Sequence, residues 1–432
     1  MTHSRSRRVG VGRLARVEGE GGMYVALRDG TVTEVRLEIY EPPRFFEAFL
    51  QGRGYTEPPD ITARVCGICP IAYQVSACNA IGNACGVETD ERVERLRRLV
   101  YCGEWIQSHM LHILLLHAPD FLGYESGIAL AADHRRIVEQ GLALKKVGND
   151  LMALVGGRAI HPVNLRVGGF YRGPGVSDVR AMMDRLCYAR DTASEIVQWV
   201  AGFDFPDHEV DYVFVGLREP GEYPITRGRL VSSQGLDAPI SEFEAHIVEE
   251  QVPHSHALHA RLRDGGPYLT GPMARYALNF ELLPDVARTA ALEAGLGPVC
   301  RNPFRSIVVR AVEVLYACDE AIRIVGDYEA PDPELPVVPA RAGVGRGASE
   351  APRGVLLHRY QLDGEGTILD ARIVPPTSQN QATIEADLRK FVEGHADLDD
   401  EALGRGCEQV IRNHDPCISC ATHFLDLRVD RL

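Results

Sequence analysis

The sequence lacks any apolar run long enough to cross a membrane. The longest run, Met110 to Leu116, is interrupted by His112 and is much shorter than the roughly 20 residues that a membrane-spanning helix needs. A recognisable signal peptide is also missing, because Arg5, Arg7 and Arg8 are followed by glycine and charge instead of an apolar segment. We therefore expect a cytoplasmic protein, although export together with a signal-bearing partner would leave the same pattern.

Positive charge is also in short supply. The 432 residues include 46 lysines and arginines against 60 aspartates and glutamates, which gives a formal net charge of -14. This balance argues against a surface that binds nucleic acid or an anionic membrane. The sequence has no internal repeat and no low-complexity tract, and its 45% of hydrophobic residues is enough to form a large core.

Cysteine, in contrast, is abundant. Eleven cysteines are an odd number, which argues against a closed disulfide framework. Four of them form two Cys-x-x-Cys pairs, Cys66 with Cys69 and Cys417 with Cys420. The other seven are scattered in mostly apolar surroundings and are expected to be small buried hydrophobic residues: Cys78, Cys85, Cys102, Cys187, Cys300, Cys318 and Cys407.

The hydrophobic pattern predicts a mainly α-helical protein with small β additions, an α+β fold. Residues 23–40 alternate apolar and polar side chains about an Asp29-Gly30 turn, which predicts a β-hairpin. Apolar residues then recur at three- and four-residue steps, which predicts a bundle of four long helices in the middle of the chain, at residues 91–117, 133–155, 179–200 and 302–325.

Shorter elements are expected elsewhere. Residues 203–235 are strand-like and rich in loops, and residues 337–353 are rich in proline, alanine and glycine, as in a linker or an ordered active-site loop. Beyond them the pattern predicts two strands and then two helices, at residues 355–361, 367–374, 379–393 and 402–413.

These elements suggest a division of the chain into three parts that belong to one fold. Residues 1–60 are a β-rich segment. Residues 61–336 are a helical core that contains the β-rich insertion near 203–235. Residues 337–432 hold a loop, short strands and the C-terminal helices with the second cysteine pair.

The two cysteine pairs are the strongest functional signal. Two-residue spacing lets both sulfurs of a pair face one metal, an arrangement that zinc, iron-sulfur clusters and nickel all accept. Pro70 suits the first turn of a helix, whose N-terminus would favour the thiolate form of Cys69. Because the pairs lie almost the whole chain apart, a zinc ribbon is disfavoured. We expect a metal site where the N- and C-terminal segments meet, with structural zinc as the alternative.

The residues around both pairs resemble a known family. Arg64-Val-Cys66-Gly-Ile-Cys69 and the segment from Asp415 to His423 are similar to the two end motifs of nickel-iron hydrogenase large subunits. Further matching segments lie between them in the same order: Arg16-Val-Glu18-Gly, Arg44-Phe-Phe-Glu47, Gly156-Gly-Arg-Ala-Ile-His161-Pro, Ala351-Pro352-Arg353-Gly and Val374-Pro-Pro-Thr377. The resemblance covers almost the whole chain.

The resemblance implies a nickel-iron centre in which iron also carries carbon monoxide and cyanide. Cys66 and Cys417 would be terminal nickel ligands, and Cys69 and Cys420 would bridge nickel and iron. Hydrogen would be split heterolytically and reversibly, with the proton taken by a nickel thiolate, Cys417 being the first choice. Glu18 would be the relay carboxylate for that proton, although the residues alone also fit a solvated hairpin position.

The same resemblance implies the surroundings of the metals. Arg353 would lie over them, with its guanidinium held by Asp120 and Asp415, while Ala351, Pro352 and Thr377 would line the iron ligands. For Asp120 an ordinary helix-terminus position is the alternative. A Mg²⁺ or similar ion such as Fe²⁺ would be bound by Glu47, the backbone of Ile373 and His423. The other histidines of these segments, His161, His109, His112 and His117, are assigned packing or hydrogen-bonding roles.

One position departs from the family pattern. Many members carry a histidine four residues after the second cysteine, where this chain has Tyr73. The metal ligands are unaffected, but any proton or hydrogen-bond role of that histidine is in doubt here.

The resemblance also implies partners. Because no further cysteines have cluster spacing, the electrons require a small subunit with iron-sulfur clusters. The short chain and the segment from Tyr268 to Tyr276 are most like the cytoplasmic NAD(P)-linked enzymes, which implies flavin-containing diaphorase subunits. Nickel-insertion proteins and a maturation protease are implied too, with cleavage after His423 preferred over a retained tail. Two alternatives stay open, a hydrogen-sensing regulatory hydrogenase and a nickel-free quinone-site subunit related to respiratory complex I.

Overall fold

The structure is a computed structural model that describes residues 6–331 and 337–423. In these residues long helices pack around the largest hydrophobic core, and five small antiparallel sheets lie around the helices. The predicted α+β fold is therefore confirmed. In the described part of the chain, no helix is long and apolar enough to span a membrane.

The helices follow the chain in this order. The α-helices are α1 (Phe46–Leu50), α2 (Pro58–Thr62), α3 (Pro70–Cys85), α4 (Glu91–Leu111), α5 (Ala118–Leu122), α6 (Gly127–Asp133), α7 (Arg135–Gly156), α8 (Val176–Arg180), α9 (Met183–Ala201), α10 (Phe243–His246), α11 (Pro272–Asn279), α12 (Asp285–Glu293), α13 (Ser306–Gly326), α14 (Pro376–Gly394), α15 (Asp400–Asn413) and α16 (Ile418–Ala421). A π-helical turn, His112–His117, joins α4 to α5, and short 3-10 turns occur at Ile240–Glu242, Phe280–Leu282 and Pro303–Arg305.

The strands form small sheets whose neighbours are consecutive in the chain. They are β1 (Ser6–Val11), β2 (Gly21–Arg28), β3 (Thr31–Ile39), β4 (Leu165–Arg166), β5 (Gly169–Phe170), β6 (Val215–Arg218), β7 (Arg229–Ser232), β8 (Asp237–Ala238), β9 (Ile247–Glu250), β10 (His259–Leu262), β11 (Gly343–Ala351), β12 (Gly354–Leu362) and β13 (Ile368–Val374). The sheets are β1-β2-β3, β4-β5, β6-β7-β8, β9-β10 and β11-β12-β13.

The four long helices that the periodicity predicts are present as α4, α7, α9 and α13. Their apolar faces fill the main core, in which Trp105 of α4 is fully buried. At the crossing of α4 and α7 the two backbones approach each other directly, because a Cβ on Gly103 would lie 2.8 Å from the carbonyl oxygen of Gly148. The missing side chains let the two helices come into this close contact.

The two ends of the chain lie side by side. Arg7 of β1 donates hydrogen bonds to Asp400 and to backbone oxygens just before α15, and Glu18 pairs with Cys417 as a parallel β-bridge. Arg412, at the end of α15, donates to the backbone oxygen of Ala15 at 2.9 Å. These contacts bring the segment after β1 directly against the second cysteine pair, as the sequence predicts.

The prediction for residues 337–353 is wrong in part. Residues 343–351 form the regular strand β11, which pairs with β12 along its whole length. Glycines at positions 343, 345 and 347 lower the strand propensity of this segment and give it the composition of a loop. The fold uses them for packing, since a Cβ on Gly345 would lie 1.9 Å from the carbonyl oxygen of Ala80 in α3.

This contact gives a test of the packing between α3 and β11. Replacing Gly345 by alanine should destabilise the folded chain by about 1–3 kcal/mol, at the upper end of that range, because the opposing atoms are backbone and cannot rotate away. Gly364 is the matched control, because a Cβ there would meet nothing within 4 Å. Unfolding midpoints in urea should fall for Gly345→Ala and stay near wild type for Gly364→Ala. Equal midpoints for both variants would contradict the close packing.

Candidate metal centre

The first cysteine pair lies at the start of α3. Cys69 is the residue before the helix and Pro70 is its first residue, as the sequence predicts. The backbone N–H groups of Ile71 and Ala72 donate to the buried carboxylate of Glu104 at 2.6 and 3.1 Å. Glu104, on α4, therefore caps the helix and fixes the direction in which the pair faces.

The second pair lies in the turn between α15 and α16. Asp415 has a positive φ of 50°, a conformation that non-glycine residues seldom adopt, and it reverses the chain at the end of α15. The backbone N–H of Cys417 then donates to Thr377 Oγ1 at 3.0 Å, and the N–H of Ile418 donates to the backbone oxygen of Glu18. The turn is thus held from α14 on one side and from the N-terminal segment on the other.

The structure brings all four cysteines together. The sulfurs of Cys66 and Cys417 are 3.5 Å apart, those of Cys69 and Cys420 are 3.7 Å apart, and all four lie within 4.8 Å of one another. Every one of the four residues is at most 6% exposed. Metal-sulfur bonds of about 2.3 Å in a tetrahedral site would place sulfurs about 3.8 Å apart, so the spacing suits a transition-metal ion.

The electrostatics of the cluster also favour a metal. Burial, together with hydrogen bonds to Cys420 and Cys66, raises the pKa of the Cys417 thiol well above its usual value. Hydrogen bonds with Cys417 and Cys420 lower the pKa of Cys66. One cysteine can therefore ionise only while its neighbours stay protonated. Four thiolates together need a bound cation.

The pKa of Cys69 does not follow the thiolate preference expected at a helix N-terminus. The hydrogen bond with Cys417 acts to lower the pKa of Cys69, but its contacts with Cys420 and Cys66 and its burial raise that pKa well above the usual value.

Arg353 lies at the tip of the hairpin between β11 and β12 and reaches into the cluster. Its Nε donates to the backbone oxygen of Asp415 at 2.8 Å, and its Nη2 donates to the Asp415 carboxylate at 3.1 Å. The backbone oxygens of Ala351 and Pro352 accept hydrogen bonds from Arg275 at 2.6 and 3.2 Å. Arg353 is 2% exposed, so its positive charge is held in the interior beside the thiols.

The arrangement expected for Asp120 is wrong. Among the described residues, Asp415 pairs with Arg353, whereas Asp120 pairs with Arg412 through two hydrogen bonds of 2.7 and 2.9 Å and also accepts from Arg16. These donors occupy both carboxylate oxygens. Asp120 therefore joins the N-terminal segment to the end of α15, and it supports Glu18 and Cys417 through their neighbours rather than through Arg353.

Glu18 lies directly beside the second pair. The Cys417 thiol donates to Glu18 Oε2 at 3.0 Å, and the backbone N–H of Ser419 donates to the same oxygen at 3.1 Å. The Ser419 hydroxyl in turn donates to Glu41 at 3.0 Å. Glu18 is only half-buried, so its carboxylate connects the buried sulfur with a polar surface. This is the geometry that a carboxylate needs to accept a proton from a thiol.

A second polar group lies near the C-terminal end of the described chain. The Glu47 carboxylate contacts His423 Nε2 at 2.8 Å with one oxygen, and with the other it accepts the N–H of Ile373 at 2.6 Å. Ile373 is on the sheet-edge strand β13, and the N–H and C=O of an extended residue point to the same side. A cavity of about 200 Å³ is lined by these residues, by Glu249, whose side chain is 6% exposed, and by Cys420. The sequence-predicted Glu47, Ile373 and His423 are therefore together.

Tyr73 lies one helical turn after Cys69, as its spacing predicts, and lines the same cavity as Cys420. The residue is 1% exposed and its hydroxyl has no hydrogen-bond partner in the described part of the chain. Its ring packs edge-on against His358, with ring centroids 5.7 Å apart. Burial and the nearby Cys420 raise the pKa of Tyr73 well above its usual value, so the phenol is neutral.

Several supporting residues were not found from the sequence. Ser419 joins Glu18 to Glu41, Glu104 caps α3, and Arg275 holds the carbonyls before Arg353. The position of Ser419 inside the second Cys-x-x-Cys pair was the only sequence signal that could have identified any of these three residues. Glu104 and Arg275 are charged residues in helical patterns, and their burial depends on tertiary contacts that no local pattern shows.

The four buried sulfurs, the buried arginine and the adjacent carboxylate form a site at the junction of both chain ends that is suited to the centre of a metalloprotein. A family model for nickel-dependent hydrogenase matches residues 44–140. The alpha subunit of sulfhydrogenase 1 from Pyrococcus furiosus is 33% identical over 422 residues, which cover 96% of this chain and 98% of that protein. The NAD-reducing hydrogenase HoxS subunit beta from Cupriavidus necator is 26% identical, with 97% and 95% covered.

Solved structures give the same result. An NAD+-reducing [NiFe]-hydrogenase in the H2-reduced state aligns with a TM-score of 0.84 and 26% identity over 96% of this chain and 99% of that one. The Ni-Fe-Se hydrogenase from D. vulgaris Hildenborough shares the fold, with a TM-score of 0.77 and 22% identity over 97% of this chain and 100% of that one. The chain belongs to the nickel-dependent hydrogenase family, as an oxidoreductase that acts on H2. Membership of this family disfavours structural zinc, and the four gathered cysteines disfavour a nickel-free quinone-site subunit.

Serine substitution tests the four-cysteine site. Replacing Cys69 or Cys417 by serine should remove nickel from the purified chain and abolish hydrogen uptake together, because a serine oxygen is a poor replacement for a soft thiolate ligand. Cys187, which is outside the cluster and half-buried, is the matched control. Elemental analysis should show full nickel in Cys187→Ser and almost none in the two site variants. Full nickel in Cys417→Ser would remove that residue from the site.

Proposed function

We propose that this chain catalyses reversible heterolytic H2 oxidation at a nickel-iron centre, with Cys66 and Cys417 as terminal nickel ligands and Cys69 and Cys420 as bridges to iron. The observation that carries the proposal is the 3.0 Å hydrogen bond from the Cys417 thiol to Glu18, made at the edge of a buried four-thiol cluster. When bound, the metal centre supplies the position at which H2 is polarised and its electrons are collected.

In this proposal Cys417 and Glu18 move the proton. Cys417 receives the proton that leaves H2 and passes it to Glu18 Oε2, at hydrogen-bond distance. The N–H of Ser419 donates to the same oxygen and stabilises the carboxylate between transfers. Glu41, which accepts from the Ser419 hydroxyl and pairs with Arg44, is the next acidic group along these hydrogen bonds.

Arg353 and Thr377 would surround the iron ligands, carbon monoxide and cyanide. Because Thr377 Oγ1 already accepts the N–H of Cys417, its own hydroxyl hydrogen is available to donate to a cyanide nitrogen. The fixed carbonyls of Ala351 and Pro352 set the position of the Arg353 side chain over the cluster. Asp415 holds that guanidinium and so keeps a positive charge beside the anionic ligands.

A hard cation such as Mg²⁺, or Fe²⁺ in its place, would be bound by Glu47, the carbonyl of Ile373 and His423. Carboxylate and carbonyl oxygens suit such an ion, and waters in the adjoining cavity would complete its shell. His423 is three residues from Cys420, so an ion here would hold the C-terminal segment over the metal centre.

Processing after His423 by a maturation protease, following action of nickel-insertion proteins, stays a prediction, since residues 424–432 lie outside the described residues.

The electrons would leave through a small subunit with iron-sulfur clusters and reach NAD(P) through flavin-containing subunits. The support is the similarity, over nearly the whole chain, to the NAD-reducing hydrogenase HoxS subunit and to an NAD+-reducing [NiFe]-hydrogenase. Sulfhydrogenase alpha subunits are also similar, at 33% and 31% identity. The cytoplasmic location expected from the sequence is part of this proposal.

Replacing Glu18 by glutamine tests the proton route. The amide cannot accept and release a proton, so exchange of H2 with D2O should slow by orders of magnitude while nickel and iron content stay at the wild-type level. Glu20 is the matched control, because it lies two residues away on the same segment and its side chain is 50% exposed. Exchange rates measured by mass spectrometry should be normal for Glu20→Gln. A normal rate for Glu18→Gln would contradict the relay.

The acceptor and the iron ligands are tested on the purified native complex. Under H2 it should reduce NAD⁺ or NADP⁺ as well as an artificial dye, and its infrared spectrum should contain bands of bound carbon monoxide and cyanide. Dye reduction without nicotinamide reduction would contradict the NAD(P) assignment alone. A dye-reduction rate far below that of catalytic hydrogenases would favour the hydrogen-sensing alternative. An infrared spectrum without carbon monoxide and cyanide bands would contradict the proposed iron ligands.

A further inference from the structure

A second group of metal-binding side chains lies apart from the four cysteines. His254 follows β9, His259 is the first residue of β10, and Glu385 is in the middle of α14. One nitrogen from each histidine and a carboxylate oxygen of Glu385 all lie within 4.8 Å of one another. The group therefore joins the β9-β10 hairpin to the helix that carries Thr377.

The hydrogen bonds of this group leave one nitrogen unused. His254 Nε2 and Glu385 Oε1 are 2.7 Å apart, and the same oxygen accepts the N–H of Leu37 at 2.9 Å. The His259 ring lies edge-on to that of His254, with centroids 5.6 Å apart. His259 is 1% exposed, and its Nε2 has no hydrogen-bond partner among the described residues. A buried polar atom without a partner is unfavourable and calls for a ligand.

The protonation of the group suits a cation. Burial, and next the neighbouring His254, lower the pKa of His259 to about 4. At neutral pH this imidazole is therefore uncharged and has a lone pair available for coordination. The side chains of His254 and Glu385 are 18% and 19% exposed, so an ion and a water molecule can reach the group from solvent.

We propose that His254, His259 and Glu385 bind a divalent transition-metal ion of the Zn²⁺ class, with water as the fourth ligand. Two imidazoles and one carboxylate are ligands that Zn²⁺ accepts in proteins, whereas Mg²⁺ and Ca²⁺ prefer oxygen alone. Bonds of about 2.0–2.1 Å would place the ligand atoms about 3.4 Å apart in a tetrahedral site. The 2.7 Å contact between His254 and Glu385 would lengthen to that value as the ion replaces the proton between them, and any longer separation, up to 4.8 Å, would shorten to it through side-chain rotation.

The position of the ion gives it a structural effect. Between the two histidines, the N–H of His256 donates to the backbone oxygen of Ile39 at 2.7 Å, and the backbone oxygen of His256 accepts the N–H of His423 at 2.8 Å. Ala257 also pairs with Thr422 as a β-bridge. An ion whose ligands, His254 and His259, lie on both sides of this segment would stiffen the surface against which the C-terminal cysteine segment packs.

The experiment uses the nickel-loaded complex, so that the four cysteines are already occupied. After treatment with a chelator and desalting, the complex is titrated with Zn²⁺, and bound zinc is measured by elemental analysis and by zinc-edge X-ray absorption. Wild type should bind one additional zinc per chain through nitrogen and oxygen alone. His259→Gln and Glu385→Gln should each bind it at least tenfold more weakly, with nickel content unchanged.

His208→Gln is the matched control. His208 is half-buried against Phe304 and Phe391 and its Nε2 also has no partner, but in the described part of the chain it belongs to no ligand group. It should bind zinc as wild type does. If His259→Gln fails to fold, the more exposed His254→Gln provides the same comparison. Equal zinc binding by wild type and the site variants, or sulfur in the zinc shell, would overturn the proposal without affecting the hydrogenase assignment.

Discussion

Four sulfurs packed into a space that excludes water impose one electrostatic condition on this protein. Each ionised thiolate would raise the free energy of the others, because the interior screens their charges poorly. Burial and the neighbouring sulfurs therefore raise the pKa of Cys417, while hydrogen bonds with Cys417 and Cys420 lower the pKa of Cys66. A bound cation that prefers soft ligands would remove this repulsion between thiolates, and the charged residues around the cluster are placed to suit such a centre.

The charged neighbours of the cluster are themselves fixed by other charges. Arg353 is held by Asp415, and Asp120 is held by Arg412 and Arg16. Arg353 at the hairpin tip pairs with Asp415 beside the second cysteine pair. Asp120 of α5 pairs both with Arg16 of the N-terminal segment and with Arg412 at the end of α15, so its carboxylate joins the two ends of the chain. Removing one partner would leave a buried charge without compensation. This would cost more stability than replacing both partners by apolar residues.

The spacing of two distant cysteine pairs predicted a site where the two ends of the chain meet, and the structure brings the four sulfurs together there. The role of each cysteine came from the family resemblance. The periodicity likewise predicted α4, α7, α9 and α13, whose apolar faces are long and regular. Strand β11 was missed because its glycines have poor strand propensity and are required by contact with α3, which is a tertiary effect. The partner of Asp120 was missed for a related reason, since several arginines were chemically equivalent and only the folded chain distinguishes them.

The glycine-lined contact between α3 and β11 has a consequence for the chemistry as well as for packing. α3 begins at the first cysteine pair and β11 ends two residues before Arg353, so backbone packed against backbone leaves almost no freedom between the metal ligands and that charge. Dipoles held in this way do not need to reorient when an electron enters or leaves the centre. A small reorganisation energy would follow, and it would allow fast electron transfer at a low driving force in the proposed reversible reaction.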